Sequence, residues 1–309
     1  MRSARNLYRV NLTLSVMGAL LVLGGAGVAL GRVDLAPGPI GQLLSDCGSF
    51  LAPRLTPAGV TLLLLGALGA VVLVRGLRTA SRQIRGCRRF LRGLEIVGER
   101  GLADERVLLI AGPRAQAFCA GFARPRVYIS RGGAEQLSAA ELAAVTAHEA
   151  HHARRRDPLR LLLLAVLGDA LFFMPALSRL RRRYAALAEI AADEAALAAV
   201  GDASHLAGAL LQFGETGVEG VVGIDPERVD HLLGASRGWD VPVLPIAAAV
   251  LTLAVLLALV LVTAASSTVA RTSVAQLAAQ SCMIAMALAP ILALSGLGIL
   301  SGRKLSRRL

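Results

Sequence analysis

The 309 residues of this chain are too apolar for a water-soluble globular protein. Hydrophobic residues make up 55% and charged residues 17%, and the mean hydropathy is +0.62, values that indicate a membrane protein. A net charge of +12 would suggest nucleic-acid binding in a soluble chain. Beside apolar segments, however, basic residues report membrane orientation, so we expect no direct nucleic-acid binding. The four cysteines are widely spaced and indicate neither a disulfide framework nor a cysteine zinc site.

Four segments without a charged residue are long enough to cross a bilayer as helices, which takes about 20 apolar residues. They cover residues 10–31, 55–74, 241–270 and 272–302. The first contains a longer apolar stretch than a cleaved signal peptide has, so we expect a retained span. None of the four contains an Asp, Glu, His, Lys or Arg side chain, which argues against a transporter or channel, because ion pathways need such groups.

Arginine marks one side of the membrane. Seven arginines lie between residues 75 and 92, three precede the first span, and a basic tail follows the last, whereas the loop 32–54 is neutral. Since basic residues accumulate in cytoplasmic loops, we expect both termini and the region between the second and third spans to be cytoplasmic. The chain is thus predicted to be mainly α, with an N-terminal transmembrane hairpin (1–76), a cytoplasmic domain (77–240), and a C-terminal transmembrane hairpin with the basic tail (241–309).

The cytoplasmic domain is predicted to be α+β. Between residues 106 and 130 the runs VLLIAG, AQAFCAGF and RPRVYIS predict two or three short strands. Ser138 and Glu141 have the spacing of a capping box and predict a helix of about 18 residues. Asp157 and Pro158 then suit the N-cap and first position of another helix. RPRVYIS could also pair, as an edge strand, with an extended protein substrate.

The predicted helix contains the pattern H-E-x-x-H. His148 and His152 are four residues apart and therefore lie on one helix face, where two imidazoles can bind one Zn²⁺ ion. Glu149 stands beside them, where its carboxylate can take a proton from the attacking water. The alternative interpretation is a solvated polar face, since this pattern also arises by chance in alanine-rich helices.

A catalytic zinc site needs a third protein ligand. Glu189 and Asp193 lie four residues apart on a later predicted helix, so one can bind the metal while the other orients a ligand histidine. An acidic surface stripe would look the same, and Asp157 is a rival ligand. His151 is interpreted as a solvated residue or one that supports the ligands.

Thirty-six residues separate His152 from Glu189, and most of 161–177 is apolar. A single crossing would place Glu189 about 30 Å away on the other side, and two crossings need about 40 residues. We therefore predict a buried or re-entrant apolar helix at about 159–177, with a turn near Pro175. Asp169 interrupts this run. The roles of His205 and His231 stay open, with surface histidines as the default.

Three stretches, AFCAGFARPRVYIS, LSAAELAAVTAHEAHHARRRDPLR and AEIAADEAAL, resemble the integral-membrane gluzincin metallopeptidases of the BlaR/MecR type, themselves similar to the HtpX and CAAX prenyl-protease group. The resemblance covers about 109–197 and the paired spans before it. It implies a zincin-like domain with one Zn²⁺ held by His148, His152 and Glu189, with Glu149 as general base and Asp193 orienting a ligand.

The resemblance further implies a multi-pass protein of the bacterial inner membrane that cleaves a protein substrate, such as a winged-helix repressor, in regulated proteolysis. Quality control of membrane proteins and zinc-bound signalling without catalysis are the alternatives. Only seven residues follow the last predicted span, so we expect no penicillin-binding sensor. The sequence gives no information on the oligomeric state, the activating signal or self-cleavage.

Overall fold

The computed structural model describes residues 2–31, 33–34, 57–102, 105–215, 243–265 and 272–273. The chain divides into two compact units. The first unit combines Met1–Ala19 with Leu73–Thr252, and the second unit combines Leu20–Val72 with Leu253–Leu309. Three long helices contribute to both units: α1 (Arg2–Leu30), α2 (Pro57–Arg92) and α8 (Val243–Ala265).

These three helices contain the segments that are long and apolar enough to cross a membrane, namely Ala4–Leu30, Val60–Arg92 and Val243–Ala265. They correspond to the first three predicted spans. The fourth, 272–302, lies outside the described residues except for its first two, and the loop segment 35–54 lies outside them entirely. A mainly helical chain with three candidate membrane-spanning helices is therefore confirmed, whereas a fourth span and the cytoplasmic orientation stay predictions.

Small residues bring the helices of the second unit close together. A Cβ atom added at Gly69 of α2 would collide with the Cβ of Ala26 on α1. A Cβ at Gly25 of α1 would lie 2.8 Å from Val260 of α8. Membrane helices gain little from the hydrophobic effect, so close backbone approach of this kind supplies much of their attraction. Two short strands, β1 (Val33–Asp34) and β6 (Thr272–Ser273), pair in parallel in the same unit.

The first unit contains a four-stranded sheet. Its strands are β2 (Ile96–Leu102), β3 (Glu105–Ile110), β4 (Ala117–Ala120) and β5 (Arg126–Ser130), in the order β2-β3-β5-β4. Strand β5 runs parallel to β3 and antiparallel to β4. The three predicted β runs are thus strands, and β2 is a fourth strand that the sequence did not predict. The prediction that RPRVYIS offers a free edge is wrong, because β5 has a partner on each side, whereas β2 and β4 are the edge strands.

Each face of this sheet carries a helix. On one face, Val107, Val127 and Ile129 are buried against α4 (Ala139–Arg155), which contains the H-E-x-x-H pattern. On the other face, Leu108 and Tyr128 pack near the end of α2, and Phe118 of β4 lies between the rings of Phe90 and Tyr128, with both pairs of ring centroids 5.3 Å apart. Strand β4 is therefore held between α2 and the helix of the candidate site.

The predicted capping box is present. The Ser138 hydroxyl accepts a hydrogen bond from the backbone N–H of Glu141, and the Glu141 carboxylate accepts one from the backbone N–H of Ser138. The short helix α3 (Arg131–Gln136) precedes it, and α5 (Asp157–Ala170), α6 (Pro175–Val200) and α7 (Ala203–Glu215) follow. The predicted N-cap role of Asp157 is wrong. Arg156, with a left-handed φ of 54°, occupies the cap position, and no side chain caps α5.

The apolar stretch after the H-E-x-x-H helix forms a helical hairpin. Helix α5 has 14 residues, about 21 Å, which is shorter than the bilayer core of about 30 Å. The chain turns at 171–174, and Pro175 begins α6, which leads back to Glu189. Asp169 accepts hydrogen bonds from Arg75 of α2 at 2.7 Å and from Thr79 at 2.5 Å. These contacts account for the acidic residue that interrupts the run.

Candidate metal centre

Helices α4 and α6 bring three candidate ligands together. Nε2 of His148 lies 3.6 Å from Oε2 of Glu189, and Nε2 of His152 lies 3.5 Å from Oε1 of the same carboxylate. One donor atom from each of the three residues lies within 4.8 Å of the others, so the group could hold a metal ion. The i, i+4 spacing on α4 places the two imidazoles side by side, with ring centroids 5.0 Å apart and an edge-to-face angle of 75°.

The donor set and its spacing fit a tetrahedral zinc ion. Zinc binds imidazole nitrogen and carboxylate oxygen at about 2.0 to 2.2 Å, which separates two ligand atoms of a tetrahedron by about 3.3 to 3.6 Å. The nitrogen-to-oxygen distances of 3.5 and 3.6 Å, each to a different oxygen of Glu189, are of this size. Two histidines and one glutamate leave a fourth position open, as catalytic zinc sites require.

A buried carboxylate of α6 lies against His148. Nδ1 of His148 lies 3.0 Å from Oδ1 of Asp193, which is fully buried one helical turn beyond Glu189. Burial by itself lowers the pKa of His148, but the hydrogen bonds to Asp193 and Glu189 outweigh it and raise the pKa to about 9. A histidine ligand whose Nδ1 bonds a carboxylate presents Nε2 to a metal in a fixed direction.

His152 has a carboxylate partner of its own, Asp157 of α5. Its Nδ1 lies 3.0 Å from Oδ2 of Asp157, and the Tyr184 hydroxyl donates a hydrogen bond to Oδ1 of Asp157 at 2.7 Å. Burial raises the pKa of Asp157, but the bonds from His152 and Tyr184 outweigh it and lower the pKa below its usual value. Asp157 therefore contacts a candidate ligand on the side away from Glu189. Sequence reasoning missed this role because the N-cap interpretation already explained an aspartate before a proline.

Glu149 is half-buried beside the two histidines. Burial raises the pKa of its carboxyl group, His148 and His152 lower it, and the backbone of Cys119 on β4 hydrogen-bonds it. The Cys119 thiol has its pKa raised to about 12, mainly by burial, so it is protonated at neutral pH and is a poor metal ligand. Edge strand β4 thus lies against the carboxyl group that the sequence singled out as general base.

The remaining histidines differ in placement. His151 is only 6% exposed and its Nε2 is buried without a hydrogen-bond partner, so the interpretation as a solvated residue is wrong. Burial and the neighbouring Arg155 lower the pKa of His151 to about 4, which keeps it neutral. His205 is half-buried on α7, and His231 lies outside the described residues.

The comparison with protein families gives one match. The family described as BlaR1 peptidase M56 matches residues 56–216, slightly more than half of the chain, including all of the candidate centre. No curated protein matches the chain. No solved structure matches it either.

Proposed function

The chain belongs to the BlaR1 peptidase M56 family, and we propose that it is a membrane-bound zinc endopeptidase with His148, His152 and Glu189 as metal ligands. The observation that carries this proposal is the convergence of both Nε2 atoms on one carboxylate, with each Nδ1 lying 3.0 Å from a separate buried aspartate. An acidic surface stripe does not require such an arrangement. The family supports a metallopeptidase, and the donor set favours zinc among the common metals.

Glu149 is the proposed general base. It takes a proton from the water that attacks the scissile carbonyl and then delivers this proton to the leaving amine. The bound zinc ion would supply Lewis-acid chemistry, polarising the carbonyl and making the water more acidic. Asp193 and Asp157 hold the two ligand histidines in place. A non-catalytic transducer is the second candidate, but it gives no reason for a half-buried Glu149 beside the donors.

The proposed substrate is an extended segment of a protein. Strand β4 pairs with β5 on one side, and among the described strands none pairs with its other side. Its Cys119 backbone bonds Glu149, so a segment that adds to this free edge would lie beside the base. Edge pairing reads the backbone of a polypeptide, which favours a protein over a small amide.

The cleaved bond is proposed to lie near the membrane but outside the hydrocarbon layer. Asp169 binds Arg75, the first charged residue after the apolar run 55–74. Asp157, beside the metal ligands, begins the same helix and lies about 18 Å away along its axis. With the arginine-rich side facing the cytoplasm of a bacterial cell, a cytoplasmic or membrane-proximal protein could reach the centre. A winged-helix repressor in signalling and a misfolded membrane protein in quality control are both substrates of this kind.

The test compares the purified full-length protein with the Glu149→Gln variant in detergent. Both are incubated with a peptide mixture from a bacterial proteome, and new N-termini are identified by mass spectrometry. We expect new termini from the wild type, none after chelation, and at least a thousandfold fewer from the variant, whose zinc content is unchanged. Equal cleavage by the variant would contradict the mechanism, and signalling retained by an inactive variant in cells would favour the transducer.

A further inference from the structure

The two ligand histidines are supported in different ways. His148 is oriented by Asp193, which lies on the same helix as the third ligand. His152 is oriented by Asp157, which lies at the start of α5 and is only 2% exposed. A buried carboxylate needs further partners to keep one orientation, because each of its oxygens loses contact with water. Asp157 therefore depends on what contacts its second oxygen.

Tyr184 makes that contact. Its hydroxyl lies 2.7 Å from Oδ1 of Asp157, and the whole residue is fully buried on α6. Burial and the adjacent carboxylate raise the pKa of Tyr184 to about 12, so at neutral pH the phenol is protonated and donates the bond. The arginines near the same oxygen are farther away: Nη1 of Arg160 is at 3.6 Å and Nε of Arg155 is at 4.0 Å. Tyr184 is thus the closest donor to this oxygen.

The other face of this cluster contacts α1. The ring of Tyr8 lies 5.5 Å from that of Tyr184, and the guanidinium of Arg160 lies 5.3 Å above the Tyr8 ring. One turn later, buried Asn11 donates a hydrogen bond to the backbone carbonyl of Leu177 at 3.1 Å. The N-terminal part of α1, which continues as a candidate membrane span, is therefore fixed against α6 next to Tyr184.

We propose that Tyr184 is a positioning residue for the metal ligand His152, acting through Asp157, and that Tyr8 fixes Tyr184 so that metal affinity depends on the placement of α1. This inference rests on the proposed metal centre. Without the Tyr184 hydroxyl, Asp157 turns toward Arg160 and Arg155, and the bond that directs His152 weakens. The described contacts thus connect α1 with the support of His152 through Tyr184.

The test uses full-length protein in detergent and the Tyr184→Phe variant, which lacks a single oxygen atom. Zinc affinity is measured by competition with a chelating dye, and the visible absorption of the Co²⁺-loaded protein reports the ligand geometry. We expect about tenfold weaker zinc binding and a changed cobalt spectrum. The control is Tyr128→Phe, another buried tyrosine, on the face of the sheet away from α4, which leaves both readouts unchanged. Thermal unfolding of the metal-free proteins separates a loss of folding from a loss of ligand orientation.

A second pair of variants tests the link to α1. Tyr8→Leu removes the ring contacts and should weaken zinc binding about threefold, whereas Tyr8→Phe keeps the ring and should bind as the wild type does. Zinc affinity and a cobalt spectrum unaltered by Tyr184→Phe would overturn the role of Tyr184, and unaltered binding by Tyr8→Leu would overturn the link to α1. A wild-type protein that binds neither metal would contradict the proposed function itself.

Discussion

The two units of the molecule are stabilised by opposite means. In the first unit, ionisable side chains are buried beside charged partners: Asp157 and Asp193 each lie 3.0 Å from a histidine of the candidate centre. In the second unit, the missing side chains of Gly69 and Gly25 let the helices approach closely. A buried charge is costly unless it is paired, so buried charges are expected mainly at functional sites. Close packing without buried charges is enough to hold membrane helices together. Metal binding should therefore respond to changes in the first unit, and membrane-helix packing to changes in the second.

The largest expected effect follows from removing the third ligand. Glu189→Gln replaces a charged carboxylate by an amide that binds zinc weakly, so we expect zinc affinity to fall at least about a hundredfold. Glu194→Gln, a change of the same kind at an exposed position on the same helix, should leave the affinity unchanged. Dye competition measures both variants. Equal losses of zinc affinity in the two variants would show that the negative charge of this helix, rather than one ligand, holds the metal.

Asp193→Asn should have the next largest effect. The amide is nearly isosteric but loses the charge that holds Nδ1 of His148, so we expect zinc affinity to fall about tenfold to a hundredfold. Isothermal titration with zinc measures the change. Affinity equal to that of the wild type would mean that Asp193 does not orient a ligand.

Gly69→Leu tests the second unit. The added side chain collides with Ala26, so the helices must separate, and we expect a destabilisation of about 2 kcal/mol. Unfolding in a detergent titration measures this change, while zinc affinity should remain within about twofold, because α1 contacts α6 through Tyr8 and Asn11, far along the helix from Ala26. Gly66→Leu is the control, since a Cβ atom there meets nothing within 4 Å. A strong loss of zinc binding in Gly69→Leu alone would contradict the division of tasks between the units.

Asp169→Asn should have the smallest effect. The ion pair with Arg75 is 2.7 Å long, but its side chains are 42% and 33% exposed, so solvent weakens it. We expect a loss of stability below about 1 kcal/mol and unchanged peptidase activity. Thermal unfolding and the peptide assay check the two expectations. A large loss of activity would contradict this expectation and would mean that Asp169 does more than bind Arg75 and Thr79.

Local patterns predicted which side chains of the candidate centre come together, because helix geometry places residues four apart on one face. His148 with His152 and Glu189 with Asp193 both follow this rule, and the Ser138 capping box correctly predicted where α4 begins. The three apolar helices were equally easy to predict, since a long apolar run without charges permits few other structures.

Contacts between distant segments were not predictable in this way. Tyr184 reaches Asp157 from another helix, and no spacing rule connects the two residues. Strand β2 has charges, glycines and an exposed surface, so its sequence lacks the alternation of a strand buried on one face. The sheet order places β4, and not β5, at the edge, which only the pairing of strands reveals.

The most direct test of the metal centre is the zinc content of the purified full-length protein. Elemental analysis should find about one equivalent of zinc in the wild type, as a site with three protein ligands binds one ion. The double variant His148→Ala, His152→Ala should contain none, while the neighbouring change His151→Ala should keep most of it. Wild-type protein without zinc, or a double variant with a full equivalent, would contradict the assignment of these residues to a zinc centre.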